Sequence, residues 1–194
     1  MIRHAQTLGN AERRYIGRTD EPLSPAGLAS FCNTAFPLAD RVYASPMLRC
    51  RQTAQLAYPA HQAIALDGLR EYDFGEFEGK NYQELKDLET YQKWIDSGGQ
   101  LAAPGGESMP EFKRRCCRAF SDALQSCFAE GIGRVSFILH GGVIMALMER
   151  FAVPPRGFYD WQPPHLGGWQ VQTDLENWEN RRTFALVGPV DGRG

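Results

Sequence analysis

Phe137-Ile138-Leu139-His140-Gly141-Gly142 is the stretch on which the fold turns. Residues 135–139 form an apolar run of strand length, and residues 143–151 continue with the apolar density of a buried helix. A histidine at such a junction stands at the carboxyl edge of a sheet, where open α/β folds bind ligands. The opening Arg3-His4-Ala5-Gln6-Thr7-Leu8-Gly9-Asn10 repeats the device, with a histidine directly after an apolar start. Two such histidines with arginines nearby point to an anion, phosphate first among them. Only Met1 and Ile2 precede Arg3, so the first strand reads as either clipped at its start or unusually stubby.

Working outward, the elements alternate. Ser24-Pro25 predicts an N-cap and first turn for a helix through Leu28, Phe31 and Cys32. Arg41-Val42-Tyr43-Ala44 reads as a strand, and Ser45-Pro46 repeats the start signal for a helix carrying Leu48, Thr53 and Leu56. Ala63-Ile64-Ala65-Leu66 is a further candidate strand. Apolar residues at 82, 85, 88, 91 and 95 predict one helix over 82–95, followed by a flexible stretch between Ser97-Gly98-Gly99 and Pro104-Gly105-Gly106. Phe112, Cys116, Phe120, Leu124 and Cys127 carry the spacing of a long amphipathic helix. Trp169-Gln170-Val171-Gln172 alternates like a half-buried strand, with residues 183–187 as its hairpin partner. Strands alternating with helices predict a three-layer α/β/α domain over residues 1–194, with a mainly parallel central sheet and a small helical lid at about 80–106.

Composition narrows the function classes. A net charge of −2 gives no electrostatic footprint for nucleic acid or an anionic membrane. The cluster Lys113-Arg114-Arg115 reads as a solvated helix face. No apolar run is long enough to span a bilayer, and polar residues begin at Arg3, unlike a signal peptide. The five cysteines show no C-x-x-C spacing, which predicts reduced thiols in a cytoplasm, Cys116 filling a core gap, and no zinc site.

Phosphoryl transfer needs positive charge around the phosphate oxygens, an in-line nucleophile and an acid for the departing alkoxide. A neutral imidazole at His4 can attack phosphorus, and Arg3 beside it offers a guanidinium fork. Arg49 lies in the first turn of a helix that starts at the same sheet edge. His140 is followed by backbone amides at a helix N-terminus, a natural anion site. Glu71, in Leu69-Arg70-Glu71-Tyr72-Asp73-Phe74-Gly75-Glu76-Phe77-Glu78-Gly79, is the candidate acid. Burial would raise its pKa and the arginines would lower it.

These motifs, in this order, resemble the histidine phosphatase (phosphoglycerate mutase-like) superfamily. Arg3-His4-Ala5 echoes its R-H-G tripeptide, and the likeness runs on through Thr7, Asn10 and Tyr15-Ile16-Gly17-Arg18-Thr19-Asp20-Glu21-Pro22-Leu23-Ser24-Pro25-Ala26-Gly27. It continues in Ser45-Pro46-Met47-Leu48-Arg49-Cys50-Arg51-Gln52-Thr53-Ala54, in the Glu71 segment, in Pro104-Gly105-Gly106-Glu107-Ser108 and in His140-Gly141-Gly142. The resemblance implies that His4 is the phosphorylated nucleophile, that Arg3, Arg49 and His140 form the phosphate pocket, and that Glu71 donates the proton. It implies supporting contacts from Thr7, Asn10, Gly17 and the Gly141 amide, and it requires neither metal nor cofactor. Arg18 is either a contact for a second anionic group or a solvated loop residue. Ala5 departs from the family glycine, so a methyl group is expected to crowd the phosphate cradle slightly.

His61 reads as a surface residue. His165, in Pro163-Pro164-His165-Leu166-Gly167-Gly168, is either a pocket lining or a structural residue. Tyr82, Tyr91 and Trp94 read first as core or lid packing. The expected reaction is hydrolysis of a small-molecule phosphomonoester, because the span from Glu71 to His140 is too short for a mutase's closing insertions. Tyr91-Gln92-Lys93-Trp94 and Gly167-Gly168-Trp169 resemble a branch that removes the 5′-phosphate of a benzimidazole riboside. The alternatives are a phosphoglycerate mutase and a domain that binds phospho-ligands without turnover.

Overall fold

The computed structural model describes residues 1–191. Seven strands form one mixed sheet in the order β3-β2-β4-β1-β6-β7-β5. They are β1 (Ile2–Arg3), β2 (Arg41–Ala44), β3 (Ile64–Ala65), β4 (Val135–Leu139), β5 (Ala152–Val153), β6 (Gly168–Gln172) and β7 (Phe184–Val190). β3, β2, β4 and β1 run parallel, and β6 lies antiparallel to both β1 and β7. The helices are α1 (Leu8–Ala11), α2 (Pro25–Ala29), α3 (Leu48–Ala57), α4 (Tyr82–Leu85), α5 (Glu89–Asp96), α6 (Met109–Ala129), α7 (Gly141–Phe151) and α8 (Leu175–Arg181).

Successive β4 residues face opposite sides of the sheet. Phe137 and Leu139 join Phe112, Cys116, Phe120, Val143, Leu147 and Phe151 of α6 and α7. Ile138 turns the other way and packs with Ile2, Val42, and Cys50 and Ala54 of α3. The three layers are therefore set by one strand's alternation. No helix among the described residues is long and apolar enough to cross a membrane.

β1 is stubby, yet it lies in the middle of the sheet between β4 and β6. Flanking bonds extend it: His4 N–H donates to Leu139 O at 2.9 Å, and Trp169 N–H donates to Met1 O at 3.0 Å.

Four local expectations change. The helix expected over 82–95 is two helices, α4 and α5, because Leu85 and Tyr91 both enter one cluster with Phe77 and Ala103. Six residues apart, they would face about 120° away from each other on one straight helix. The helix begun at Ser24-Pro25 does start there, with Ser24 Oγ accepting from Gly27 N–H at 3.0 Å, but it ends at Ala29 and passes into a 3-10 turn over Ser30–Asn33. Ser45 does not cap α3; the N-cap is Met47, and the first-turn amide of Leu48 donates to Asp20 Oδ1. β6 and β7 do pair, but α8 lies between them, capped by Asp174 and closed by Arg182 at φ +52°.

Candidate active site

β1 delivers His4 to the carboxyl edge of the sheet, where it is 3% exposed. Its Nδ1 sits 2.7 Å from Ala5 O. A carbonyl only accepts, so Nδ1 carries the hydrogen and Nε2 keeps its lone pair. Burial, aided by the charge of Arg49, holds the imidazole pKa well below its ordinary value. His4 is therefore a neutral ring with a free nucleophilic nitrogen. The Ala5 methyl does not crowd this centre. It packs into an apolar cluster with Leu23 and Leu166, while Ala5 N–H donates to Thr53 Oγ1 at 3.0 Å.

The His140 ring lies 5.2 Å from that of His4, centroid to centroid. Arg49 Nε–H donates to His140 Nδ1 at 3.2 Å, so His140 Nε2 bears the hydrogen and donates to Ser45 Oγ at 2.7 Å. The same hydroxyl accepts from Met47 N–H at 3.4 Å, ahead of α3. Burial and then Arg49 push the His140 pKa far down as well. Arg49 is fully buried, and its other nitrogens donate to Thr19 O at 2.7 Å and Gly17 O at 2.8 Å. The guanidinium thus fixes His140 and the 16–19 loop while holding its charge beside both rings.

Glu71 is half-buried, and its carboxyl meets the N-terminus of α7. Gly142 N–H donates to Oε2 and Tyr72 N–H to Oε1, both at 3.0 Å. Burial nevertheless wins over these two amides and the two nearby arginines, and the pKa is raised from its ordinary value. Such a carboxyl holds its proton to higher pH than an exposed glutamate does. Arg3 lies against the same turn: a Cβ built on Gly141 would stand 3.5 Å from its guanidinium carbon. Its Nη1 donates to Pro163 O at 2.9 Å, and its buried Nε has no partner among the described residues. That unpaired donor suits an anion.

The remaining expected residues divide. Thr7 and Asn10 form a reciprocal capping box on α1, with Asn10 Oδ1 accepting from Thr7 N–H and Thr7 Oγ1 from Asn10 N–H. Gly17 is no free anion donor, since its N–H is held by Glu78 Oε1 at 2.7 Å. Its glycine identity has a steric cause: a Cβ there would stand 1.8 Å from Tyr72 O. Arg18 is 60% exposed and 3.6 Å from Asp73. Tyr91 is buried and shares a hydrogen bond with Tyr15, and Trp94 packs on the same cluster, whereas Tyr82 is exposed. The lid aromatics chiefly pack on one another. Only Arg114 of the basic cluster is a solvated side chain; Lys113 pairs with Glu149, and Arg115 turns inward to Glu107.

His165 belongs to the site. Its ring centroid is 5.5 Å from that of His4, and its Nδ1–H donates to His4 O at 2.9 Å. The loop that carries it is zipped to β1: Arg3 N–H donates to Gly167 O, and Leu166 N–H to Arg3 O. Leu166 takes φ +58°, a conformation that costs a branched side chain energy. Burial and the Arg3 charge lower the His165 pKa to about 4. The β1–β6 pairing that brings this loop to His4 has no local signature in Pro163-Pro164-His165-Leu166-Gly167-Gly168.

The sequence profile of the histidine phosphatase superfamily (branch 1) matches residues 1–184. Phosphoglycerate mutase-like protein 4 of Arabidopsis thaliana is 33% identical over 162 residues, which cover 77% of this chain and 69% of that protein. A broad-specificity phosphatase of Saccharomyces cerevisiae is 26% identical over 161 residues, covering 77% and 67% respectively. The solved α-ribazole phosphatase from Shigella flexneri superposes with a TM-score of 0.82 at 20% identity, over 100% of this chain and 96% of that one. That last likeness is one of fold.

Proposed function

The chain belongs to the histidine phosphatase superfamily (branch 1), and from that membership we propose that it is a phosphomonoesterase working through a phosphohistidine at His4. The observation that carries this reading is the state of His4: a neutral ring, its Nδ1–H committed to Ala5 O, facing His140 at 5.2 Å. Arg3, with its unpaired Nε–H, and the α7 N-terminus receive the phosphate oxygens; Arg49 contributes charge and fixes His140, whose ring borders His4. Asn10 uses its Oδ1 on α1, which leaves its amide NH2 for the substrate.

In the first step the His4 Nε2 lone pair bonds to phosphorus, the ester P–O bond breaks, and the departing alkoxide takes the Glu71 proton. In the second, the Glu71 carboxylate takes a proton from water, whose oxygen attacks phosphorus as the N–P bond breaks. Phosphate leaves, and both side chains return to their starting states.

The reading favours water over a second hydroxyl as acceptor. Between Glu71 and β4 the only α-helices are the short α4 and α5 and the long α6. Such a lid is small for holding a phosphoenzyme away from water. A 5′-phosphorylated riboside such as α-ribazole 5′-phosphate is the first substrate to try, given the likeness of the lid and Gly167-Gly168-Trp169 segments to that branch.

A brief exposure to a labelled phosphomonoester followed by quenching traps acid-labile label on the wild type and none on His4→Ala. Chase in plain buffer discharges the label as inorganic phosphate. Label that persists until 3-phosphoglycerate or another acceptor is added makes the protein a mutase, and no label at all overturns the proposal. A panel of α-ribazole 5′-phosphate, phosphoserine, 3-phosphoglycerate and a sugar phosphate then ranks the substrates.

A further inference from the structure

Glu71 stands on irregular backbone. The segment runs between 3-10 turns at Asp67–Leu69 and Gly75–Phe77, and no sheet ladder pairs its carbonyls. Arg115, in the second turn of α6, supplies what a ladder would. Its Nη2 donates to Glu71 O at 2.8 Å, and its Nη1 donates to Arg70 O at 2.6 Å and Gly68 O at 3.1 Å. The rest of the fork is bidentate on Glu107, with Nε to Oε2 at 2.9 Å and Nη2 to Oε1. Glu107 in turn grips the far side of the segment: Asp73 N–H donates to Glu107 Oε1 at 3.0 Å, and Glu107 N–H donates to Asp73 O at 3.2 Å. The pair therefore brackets Glu71, holding the backbone up to its own carbonyl from one side and Asp73 from the other.

We propose that the Arg115–Glu107 ion pair is the positioning device for Glu71, setting where its carboxyl meets the leaving group. The inference rests on the reading of Glu71 as the acid. A planar fork is required for it. Lysine offers a point charge and cannot hold two carboxylate oxygens and three carbonyls at once. Glutamate reaches the α7 amide through a flexible stem, so a small backbone shift moves the acid out of line, and a displacement of about 1 Å costs roughly a hundredfold.

The test uses leaving groups. A good leaving group such as nitrophenolate departs without a proton, whereas an alkoxide needs one. For Arg115→Lys and Glu107→Gln, kcat/KM is measured over a series from nitrophenyl to alkyl phosphates, with Glu71→Gln as reference. kcat/KM reports the chemistry through phosphoryl transfer to His4. The expected result is a loss of about tenfold or more with alkyl esters and less than about twofold with the nitrophenyl ester, the same tilt as Glu71→Gln but smaller. Retained nitrophenyl turnover also shows that each variant is folded, and Glu107→Gln stands in if Arg115→Lys does not fold. A tilt in Glu71→Gln with none in the pair variants overturns the positioning role alone. No tilt in Glu71→Gln overturns the acid assignment and the inference with it.

Discussion

Ala5 lies where the family tripeptide has glycine, and the reason it is tolerated is directional. Its φ is not in the left-handed region, and its methyl group points away from the phosphate cradle into the cluster with Leu23 and Leu166. Ala5→Gly would remove a fully buried methyl group and loosen the unfolded chain. We expect it to cost about 1–2 kcal/mol of stability while kcat changes less than about twofold. Denaturant unfolding and steady-state assays on the same preparation check this, and a gain in turnover would mean that the methyl group does obstruct the phosphate. The His4 tautomer rests on a single carbonyl, Ala5 O, and burial keeps the ring neutral. His165 steadies the same residue from the other side, through the His4 carbonyl.

Among the elements, the N-terminus of α7 has the most to do. It presents His140 as its N-cap and the Gly142 amide to Glu71. Gly142 leaves room for the Glu71 carboxyl, since a Cβ there would stand 2.4 Å from Glu71 Oε1. That atom ends a flexible side chain, so it can yield at little cost to folding, and alanine favours a helix over glycine. Gly142→Ala is therefore expected to keep or raise the unfolding midpoint while lowering turnover of an alkyl phosphate by roughly a hundredfold. Stability and activity falling together would contradict this account of the turn. α6 works at longer range. Its Ser108–Glu111 capping box fixes the start of the helix that carries Arg115.

For the whole molecule, the site sets a pH signature on stability. His4, His140 and His165 all have pKa values lowered by burial. The unfolded chain takes up those protons near pH 6.5 and the folded chain resists, so their stabilising contribution is complete above about 6.5 and is lost as pH falls. For His165 the loss continues down to about pH 4. Glu71 has the opposite sign: its raised pKa gives stability below its unfolded value that is lost as pH rises through the folded one. Three imidazoles outweigh one carboxyl. The unfolding midpoint is expected to drop between about pH 7.5 and about pH 5.5, and to drop less in His165→Asn. A midpoint that holds steady over that interval in the wild type would contradict the buried, neutral imidazoles.

That strands alternate with helices was legible in the residues, because the apolar run 135–139 and the spacing of Phe112, Cys116 and Phe120 are local patterns, whereas which face each β4 side chain takes was not. The sequence also determined that His4, Arg49 and His140 lie at element boundaries, since each boundary carries its own turn or start signal. The tertiary structure alone decided the rest. Which nitrogen of His4 and of His140 bears hydrogen depends on Ala5 O and on Arg49. The direction of the Glu71 shift is a contest between burial and charge that only packing resolves. His165 reaches His4, and Arg115 reaches Glu71, through bonds spanning 161 and 44 positions. Periodicity reports which face of an element is buried; it holds no information on what that face meets, and the chemistry of this pocket lies in those meetings.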